Sequence, residues 1–197
     1  METLEAQRMR TYTLTNLQKS VLVGTILGDG HILQTTRGYC LRINHGLRQK
    51  SLVDWKYNVF KNIVRTPPRV YESTYYFRSV SHPAFDEYRK TFYFFKDKIV
   101  PDNLGKILNP AALAVWIMDD GTNELGPQRA LRINTQCFSL EENHKLQRIL
   151  QATFGVKTTL NKDRSYSRIR VARESMEKLR SLVMPYIIPD MLYKISP

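Results

Sequence analysis

Two apolar runs of helical length dominate the hydrophobic pattern of the chain, and each ends at an Asp-Gly pair. The first reads LVGTILGDG from residue 22, and the second reads LAVWIMDDG from residue 113. A capping-box pattern at Thr15 precedes the first run, and Pro110 stands at the first helical position of the second. The pattern therefore predicts two buried helices that end at Asp29 and Asp120.

The segments after each Asp-Gly pair alternate apolar and polar positions with the period of a β-strand. In YCLRIN from residue 39 and ALRINTQC from residue 130, Leu and Ile share one face, while Arg, Asn and Gln share the other. An amphipathic helix, a second strand pair and a closing helix follow in each half; the closing helices span 82–95 and 174–187. Each half therefore predicts a sheet with one face under helices and an exposed, arginine-rich opposite face.

The two halves also share sequence, which indicates an internal duplication. LRIN occurs at 41–44 and again at 131–134, and IVPDNLGK at 99–106 resembles IIPDMLYK at 187–194. We therefore predict an α+β fold of two pseudo-symmetric αββαββα lobes, an N-terminal lobe over 1–98 and a C-terminal lobe over 110–197, joined by a linker over 99–109. Since the duplication supplies both halves of a symmetric unit, a monomer is expected.

Charge indicates the kind of partner. The 197 residues include 30 Lys and Arg against 18 Asp and Glu, a formal net charge of +12. Such an excess favours a polyanion, because clustered cations release the counterions of phosphates. Apolar runs of about 20 residues are absent, which argues against a membrane protein. Cys40 and Cys137 lack CxxC spacing, so an intracellular protein is expected, from an organelle or from a bacterial or archaeal cytoplasm.

The two acidic helix ends predict a metal site. A carboxylate at a helix C-terminus is disfavoured by the helix dipole, so Asp29 and Asp120 need another explanation. Mg²⁺ binds hard oxygen ligands, including carboxylates, and would suit two aspartates at neighbouring helix ends. Gly24 and Gly28, four residues apart, would let the two helices pack closely enough for this. The alternative is that the aspartates are two unrelated surface residues.

The polar faces of the predicted sheets indicate duplex DNA as the partner. Arg pairs with guanine and Asn or Gln with adenine, and a twisted ribbon fits the major groove. The alternative is that these residues only keep exposed strands soluble. The candidate DNA-binding residues are Arg37, Arg42, Asn44, Arg69, Tyr71, Arg78, Arg132, Asn134, Arg164, Arg168 and Arg170.

The paired segments LVGTILGDG and LAVWIMDDG resemble the two motifs of the single-chain, intron-encoded LAGLIDADG homing endonucleases. NTQCF and IPDMLYK strengthen the likeness, which covers nearly the whole chain. The resemblance implies saddle-like antiparallel sheets and a site-specific DNA endonuclease. Such an enzyme makes a double-strand break at a long asymmetric target by metal-dependent phosphodiester hydrolysis. Val115, at a motif glycine, and Asp119, at a small motif residue, depart from the pattern.

The resemblance also implies an active site. Asp29 and Asp120 would share Mg²⁺, with Mn²⁺ or Ca²⁺ as substitutes, and Gly28 and Asp119 are further candidate metal ligands.

Three other residues are expected to assist catalysis. Lys98 and Lys194 are the candidate basic residues, although the internal repeat pairs Lys194 with Lys106 instead. Gln136 would orient water, and Asn44 and His45 are its weaker counterparts in the first lobe.

Two other functions fit the same fold. One is a splicing maturase that binds intron RNA, and the other is a sequence-specific DNA-binding protein that does not cleave. Both motif aspartates are intact, which favours the nuclease.

Overall fold

The computed structural model describes residues 3–124, 130–163 and 166–196, apart from the side chain of Asp163. The helices are α1 Leu4–Thr11, α2 Asn16–Leu27, α3 Lys50–Phe60, α4 Ala84–Phe92, α5 Leu104–Ile107, α6 Pro110–Asp120, α7 Leu140–Phe154 and α8 Met176–Val183. The strands are β1 His31–Thr35, β2 Gly38–Gly46, β3 Arg69–Tyr71, β4 Thr74–Arg78, β5 Tyr93–Phe94, β6 Asp97–Lys98, β7 Gly121–Glu124, β8 Ala130–Ile133, β9 Thr158–Asp163 and β10 Tyr166–Val171. Single 3₁₀ turns join several of them, and a longer 3₁₀ helix spans Pro189–Lys194.

The two halves form antiparallel sheets with the same strand order. The first sheet has the order β1-β2-β4-β3, and the second has the order β7-β8-β10-β9. Their registers also match, since Arg42 faces Arg78 across β2 and β4, and Arg132 faces Arg170 across β8 and β10. This repetition is the architecture expected from the duplicated sequence motifs; the exact lobe boundaries stay a prediction.

Helix starts and ends lie where the capping signals predicted them. The Thr15 hydroxyl accepts the Gln18 backbone N–H, and the Gln18 side chain accepts the Thr15 N–H, which completes the capping box. Pro110 is the first residue of α6. A second capping box opens α7, which ends at Gly155 in the left-handed region, with φ at 63°.

The core lies where α2 and α6 cross at the centre of the molecule. A Cβ atom on Gly24 would lie 2.2 Å from the Ala112 carbonyl oxygen, and one on Gly28 would lie 2.6 Å from the Asp119 Cβ. Only glycine allows this approach, so the small-residue stripe predicted on α2 is present. Val115 packs against Gly24 across the interface.

The alternation predicted for the strands is also present. Leu41, Ile43, Leu131, Ile133 and Ile169 are buried under the helices, while the arginines between them lie on the open faces.

The closing helix of the first half is shorter than predicted. We expected it over 82–95, but α4 ends at Phe92 and the chain turns into the β5–β6 hairpin. Phe85 and Phe92 keep the helical spacing of buried residues, whereas Phe94 and Phe95 are exposed. This hairpin ends at Lys98 and directs it toward the end of α2. The short helices α1 and α5 were not predicted either.

In the part of the chain that the structure describes, none of the helices has the length and apolar character needed to cross a membrane.

Candidate active site

Asp29 and Asp120 lie at adjacent ends of the two crossing helices. Asp120 is the last residue of α6, and Asp29 follows Gly28, the cap residue of α2. Burial, together with the negative charges of Asp29 and Asp119, raises the pKa of Asp120 to about 8. The Asp29 carboxylate is 46 % exposed. The two motif carboxylates therefore lie close enough for their charges to interact, at a site, called the pocket below, whose Asp29 side is open to solvent.

The pocket suits a divalent cation. Within the described residues, no side chain donates a hydrogen bond to the Asp120 carboxylate, although its pKa shows that its negative charge is disfavoured there. The described residues contain no group of three or more His, Cys, Asp or Glu side chains arranged around a metal. Mg²⁺ does not require one, because it commonly binds one or two carboxylates plus water and substrate phosphate. The donor set of Asp29 and Asp120 fits that pattern.

Lys98 and Lys194 occupy equivalent places on either side of the pocket. The Lys98 ammonium donates to the Gly28 carbonyl oxygen at 2.5 Å, and the Lys194 ammonium donates to the Asp119 carbonyl oxygen at 2.8 Å. Burial lowers the pKa of both lysines, which nearby aspartates partly oppose. Lys106 is exposed on α5. The structure thus brings Lys98, and not Lys106, to the pocket.

Asp119 was a candidate metal ligand, and its surroundings argue against that role. Its carboxylate oxygens accept from the Lys56 ammonium at 2.6 and 2.8 Å, and both side chains are fully buried. Asp119 is therefore held in an ion pair beneath the pocket. The carbonyl oxygen of Gly28, the other additional candidate, accepts from Lys98 and also faces a cation of the protein.

Sequence reasoning missed Lys56 and gave His45 only a minor place. The signal for Lys56 was present, because Leu52, Lys56 and Phe60 are spaced at i, i+4 and i+8 and form one buried face of α3. The His45 ring is buried, with Nδ1 3.4 Å from the Asp29 carboxylate and Nε2 3.6 Å from the Asp119 carboxylate.

Gln136 lies half-buried in the turn after β8, beside the pocket but without a described hydrogen bond. Its neighbour Cys137 lies near enough to Lys98 for each group to influence the pKa of the other. The turn therefore borders the site. Gln136 remains a candidate on position alone.

The open face of the first sheet carries stacked arginines. Tyr76 lies between Arg42 and Arg69, whose guanidinium carbons are 5.4 and 5.2 Å from the ring centroid. Arg69 also donates to the Tyr76 hydroxyl oxygen at 2.6 Å. Tyr71 is exposed at the end of β3. Tyr76 belongs to the tyrosine-rich stretch over 70–80 but was not among the individual candidate DNA-binding residues, although alternation places it on the same face as Arg78.

A basic cleft of about 710 Å³ lies at the outer end of this sheet. Five arginines line it: Arg10, Arg37, Arg65, Arg69 and Arg78. Arg10 belongs to α1 and Arg65 to the loop before β3, so neither belongs to the strand pattern that identified the others.

The open face of the second sheet is arranged differently, because Glu124 pairs with two of its arginines. Arg132 lies 3.0 Å and Arg170 lies 3.1 Å from the Glu124 carboxylate. Arg168 donates to the Asn134 side-chain oxygen at 3.5 Å. Arg164 lies outside the described residues.

Two repeated lobes, paired carboxylates at crossing helix ends and two arginine-rich sheet faces define a protein built to act on nucleic acid. Residues 19–179 match the family model of the LAGLIDADG DNA endonuclease family. The chain belongs to this family. The match confirms the resemblance, the α+β fold and the class of enzyme, a site-specific DNA endonuclease.

Individual relatives agree with the family. The probable intron-encoded endonuclease 1 of Wickerhamomyces canadensis is 30 % identical over 200 residues, which cover 93 % of this chain and 85 % of that protein. The cytochrome b mRNA maturase bI2 of Saccharomyces cerevisiae is 41 % identical over 102 residues, covering 50 % of this chain and 23 % of that protein. The solved structure of the homing endonuclease I-WcaI bound to its DNA recognition sequence superimposes with a TM-score of 0.89 at 28 % identity, covering 96 % of this chain and 90 % of that one.

Proposed function

We propose that this endonuclease hydrolyses one phosphodiester bond on each strand of a duplex target, with a divalent cation held by Asp29 and Asp120. The observation that carries the proposal is the pocket between the two helix ends. There, two carboxylates lie close enough for their charges to interact, and no side chain in the described part of the chain donates a hydrogen bond to Asp120. Lys98 and Lys194 bond backbone carbonyl oxygens beside them.

Each group has a separate task. Asp29 and Asp120 would hold the cation, Mg²⁺ or its substitutes Mn²⁺ and Ca²⁺, which would supply the activation of water and the neutralisation of phosphate charge. Lys98 and Lys194 place ammonium groups beside the scissile phosphates, where they stabilise the charge of the transition state. Gln136 would orient the attacking water from the turn after β8.

The sheets hold the duplex. Arginines on both open faces contact phosphates and base edges, and Arg42, Arg69 and Arg78 supply the first half-site. Tyr76 holds two of these guanidinium groups near its ring by cation–π contacts. The enzyme acts as a monomer, since both motif aspartates come from one chain.

A maturase role is the second candidate. The identity of 41 % to a cytochrome b mRNA maturase over 102 residues favours it specifically. Intron RNA would then use the same positive charge, and the two functions can coexist in one chain. A filter-binding comparison of the intron RNA with a scrambled RNA of equal length separates specific from purely electrostatic RNA binding.

The decisive experiment uses a plasmid that carries the host junction without the intron. With Mg²⁺ we expect the plasmid to be linearised. Asp29→Asn and Asp120→Asn should bind the duplex as the wild type does and cut it at least about 100-fold more slowly. Asp102→Asn, a change at a fully exposed aspartate, is the matched control.

Two outcomes contradict the proposal. Binding of the duplex without cleavage in Mg²⁺ or Mn²⁺ rules out the nuclease, and undiminished cleavage by both variants rules out the assigned site.

A further inference from the structure

Asp119 is the second acid of the DDG sequence, and its surroundings are unlike those of its neighbour Asp120. Lys56, on α3 and 63 residues away in the sequence, donates hydrogen bonds to both Asp119 carboxylate oxygens. Neither side chain has any exposed surface. A buried ion pair contributes little net stability compared with two well-packed apolar residues, so stability alone does not explain why a lysine is placed there.

The contacts of Asp119 lead to Asp29. One Asp119 carboxylate oxygen accepts the backbone N–H of Asp29 at 3.3 Å. The other lies 3.6 Å from the His45 Nε2 atom, and His45 Nδ1 lies 3.4 Å from the Asp29 carboxylate. Gln49 holds the same Nδ1 atom at 3.2 Å and so fixes the ring. Asp29 is therefore held at its backbone by Asp119, and its side chain faces His45, whose ring also lies against the Asp119 carboxylate.

The arrangement is one-sided. In the repeat, Asp119 corresponds to Gly28, which has no side chain, and His45 corresponds to Thr135, which bonds Asn143 instead of a motif aspartate. Asp120 thus lacks, among the described residues, the support that Asp29 receives. The two halves of the active site differ beneath the shared pocket even though their helices match.

We propose that Lys56 is a positioning residue, which fixes the Asp119 carboxylate and through it holds Asp29 in place for the metal. This rests on the proposed function, since Asp29 is taken as a metal ligand. Lys56 touches neither substrate nor metal. The chemistry it serves is the orientation of one carboxylate, comparable to the outer partners that orient ligands in other metal sites.

Lys56→Met tests this directly, because methionine keeps an unbranched, flexible side chain of similar length without the charge. Metal binding is measured on the protein–duplex complex by titration with Mn²⁺, followed by electron paramagnetic resonance of the free ion. We expect the Mn²⁺ affinity to fall about 10- to 100-fold, as outer-shell changes typically do. If Asp119 were itself a metal ligand, the freed carboxylate would instead bind Mn²⁺ more tightly, and that result overturns the proposal.

A second variant covers the case in which the single change prevents folding. Lys56→Met combined with Asp119→Asn removes both buried charges and keeps their volume. We expect this double variant to fold, to bind the duplex with unchanged affinity, and to show weaker Mn²⁺ binding and a lower kcat at unchanged KM. The matched control, Lys145→Met with Asp102→Asn, breaks the ion pair between partly exposed Lys145 on α7 and fully exposed Asp102 before α5, and should leave all these values unchanged.

The experiment separates this inference from the function on which it depends. A wild type that binds the duplex but never cuts it removes the proposed function. A wild type that cuts, alongside a folded double variant with wild-type Mn²⁺ affinity and kcat, removes the role of Lys56 alone.

Discussion

At the scale of single residues, the site combines an exposed aspartate, Asp29, with a half-buried one, Asp120, whose carboxylate is more strongly desolvated. Asp29 lies at the mouth of the pocket, whereas Asp120 lies deeper, and burial raises its pKa to about 8. The charged carboxylate is therefore a source of instability until a cation neutralises it. A site arranged for metal binding is expected to destabilise the metal-free protein in this way.

This leads to a pH-dependent prediction for Asp120→Asn in the absence of metal. The folded-state pKa of Asp120, about 8, lies above the ordinary value of 3.8. Between pH 3.8 and pH 8, the Asp120 carboxyl therefore keeps its proton in the folded protein and has lost it in the unfolded chain. The stability linked to this proton is complete below pH 3.8 and is lost as the pH rises toward 8. Asp120→Asn should therefore raise Tm at pH 8, by roughly 2–4 °C for each kcal/mol recovered, and have little effect near pH 4.

Thermal unfolding in EDTA at several pH values measures this difference, with Asp102→Asn as the control at an exposed position. A gain in Tm that is equal at pH 4 and pH 8 would contradict the assignment of the effect to Asp120 ionisation.

A second prediction at this scale concerns the stability of the Lys56 variants. Lys56→Met leaves the Asp119 carboxylate buried without its cation, which should cost about 3–5 kcal/mol of unfolding free energy. The double variant with Asp119→Asn should recover most of that loss, because no charge remains buried. Urea unfolding monitored by circular dichroism gives both values; a single variant as stable as the double would show that the ion pair is not desolvated.

At the scale of elements, the fold depends on how closely α2 and α6 approach. Gly24→Ala places a methyl group 2.2 Å from the Ala112 carbonyl oxygen, which belongs to the backbone of α6 and cannot move independently. We expect this change to cost about 1–3 kcal/mol through overpacking and to lower cleavage by shifting the two helix ends apart.

Gly105→Ala provides the control for this prediction. Its new methyl group would lie 3.7 Å from the nearest side-chain atom, an ordinary contact, and alanine favours a helix over glycine. The variant should be as stable as the wild type or slightly more stable by urea unfolding. Equal stability of the Gly24 and Gly105 variants would contradict the close-packing argument.

The sequence predicted some structural elements well and others poorly. Capping residues such as Thr15 and Ser139 act locally, so they placed the helix ends correctly. The β5–β6 hairpin was missed because Phe94 and Phe95 looked like a continuation of the buried face of α4. In the packed structure both side chains are exposed, and the chain leaves the helix before them. Lys56 was missed because a lysine on an amphipathic helix is usually solvated, and its acidic partner lies 63 residues away.

At the scale of the whole molecule, the two sheets repeat in topology but not in charge. The register of the strands places Glu124, which pairs with Arg132 and Arg170 of the second sheet, where the first sheet has the apolar Leu33. The positive charge of the two sheets is therefore held differently: Arg42 and Arg69 lie against the neutral Tyr76 ring, whereas Arg132 and Arg170 lie against the Glu124 carboxylate. The arginines paired with Glu124 must give up an ion pair when they bind DNA. This cost lowers their affinity for any duplex, so that only a sequence offering good contacts compensates for it.

Glu124→Gln tests this difference between the sheets. The change removes the carboxylate from Arg132 and Arg170 and leaves a neutral amide of the same size. We expect tighter binding to non-specific duplex and a steeper dependence on salt, since each additional phosphate contact adds about 0.9 to the slope of log K against log salt. Fluorescence anisotropy with a scrambled duplex at several salt concentrations measures both, and Glu141→Gln, on the exposed first turn of α7, controls for net charge. If both variants steepen the dependence of log K on log salt equally, the change in overall charge explains the effect and the proposed role of Glu124 is wrong. If Glu124→Gln alone steepens it, Glu124 restrains the arginines of the second sheet. The variant should then also discriminate less between specific and scrambled duplex.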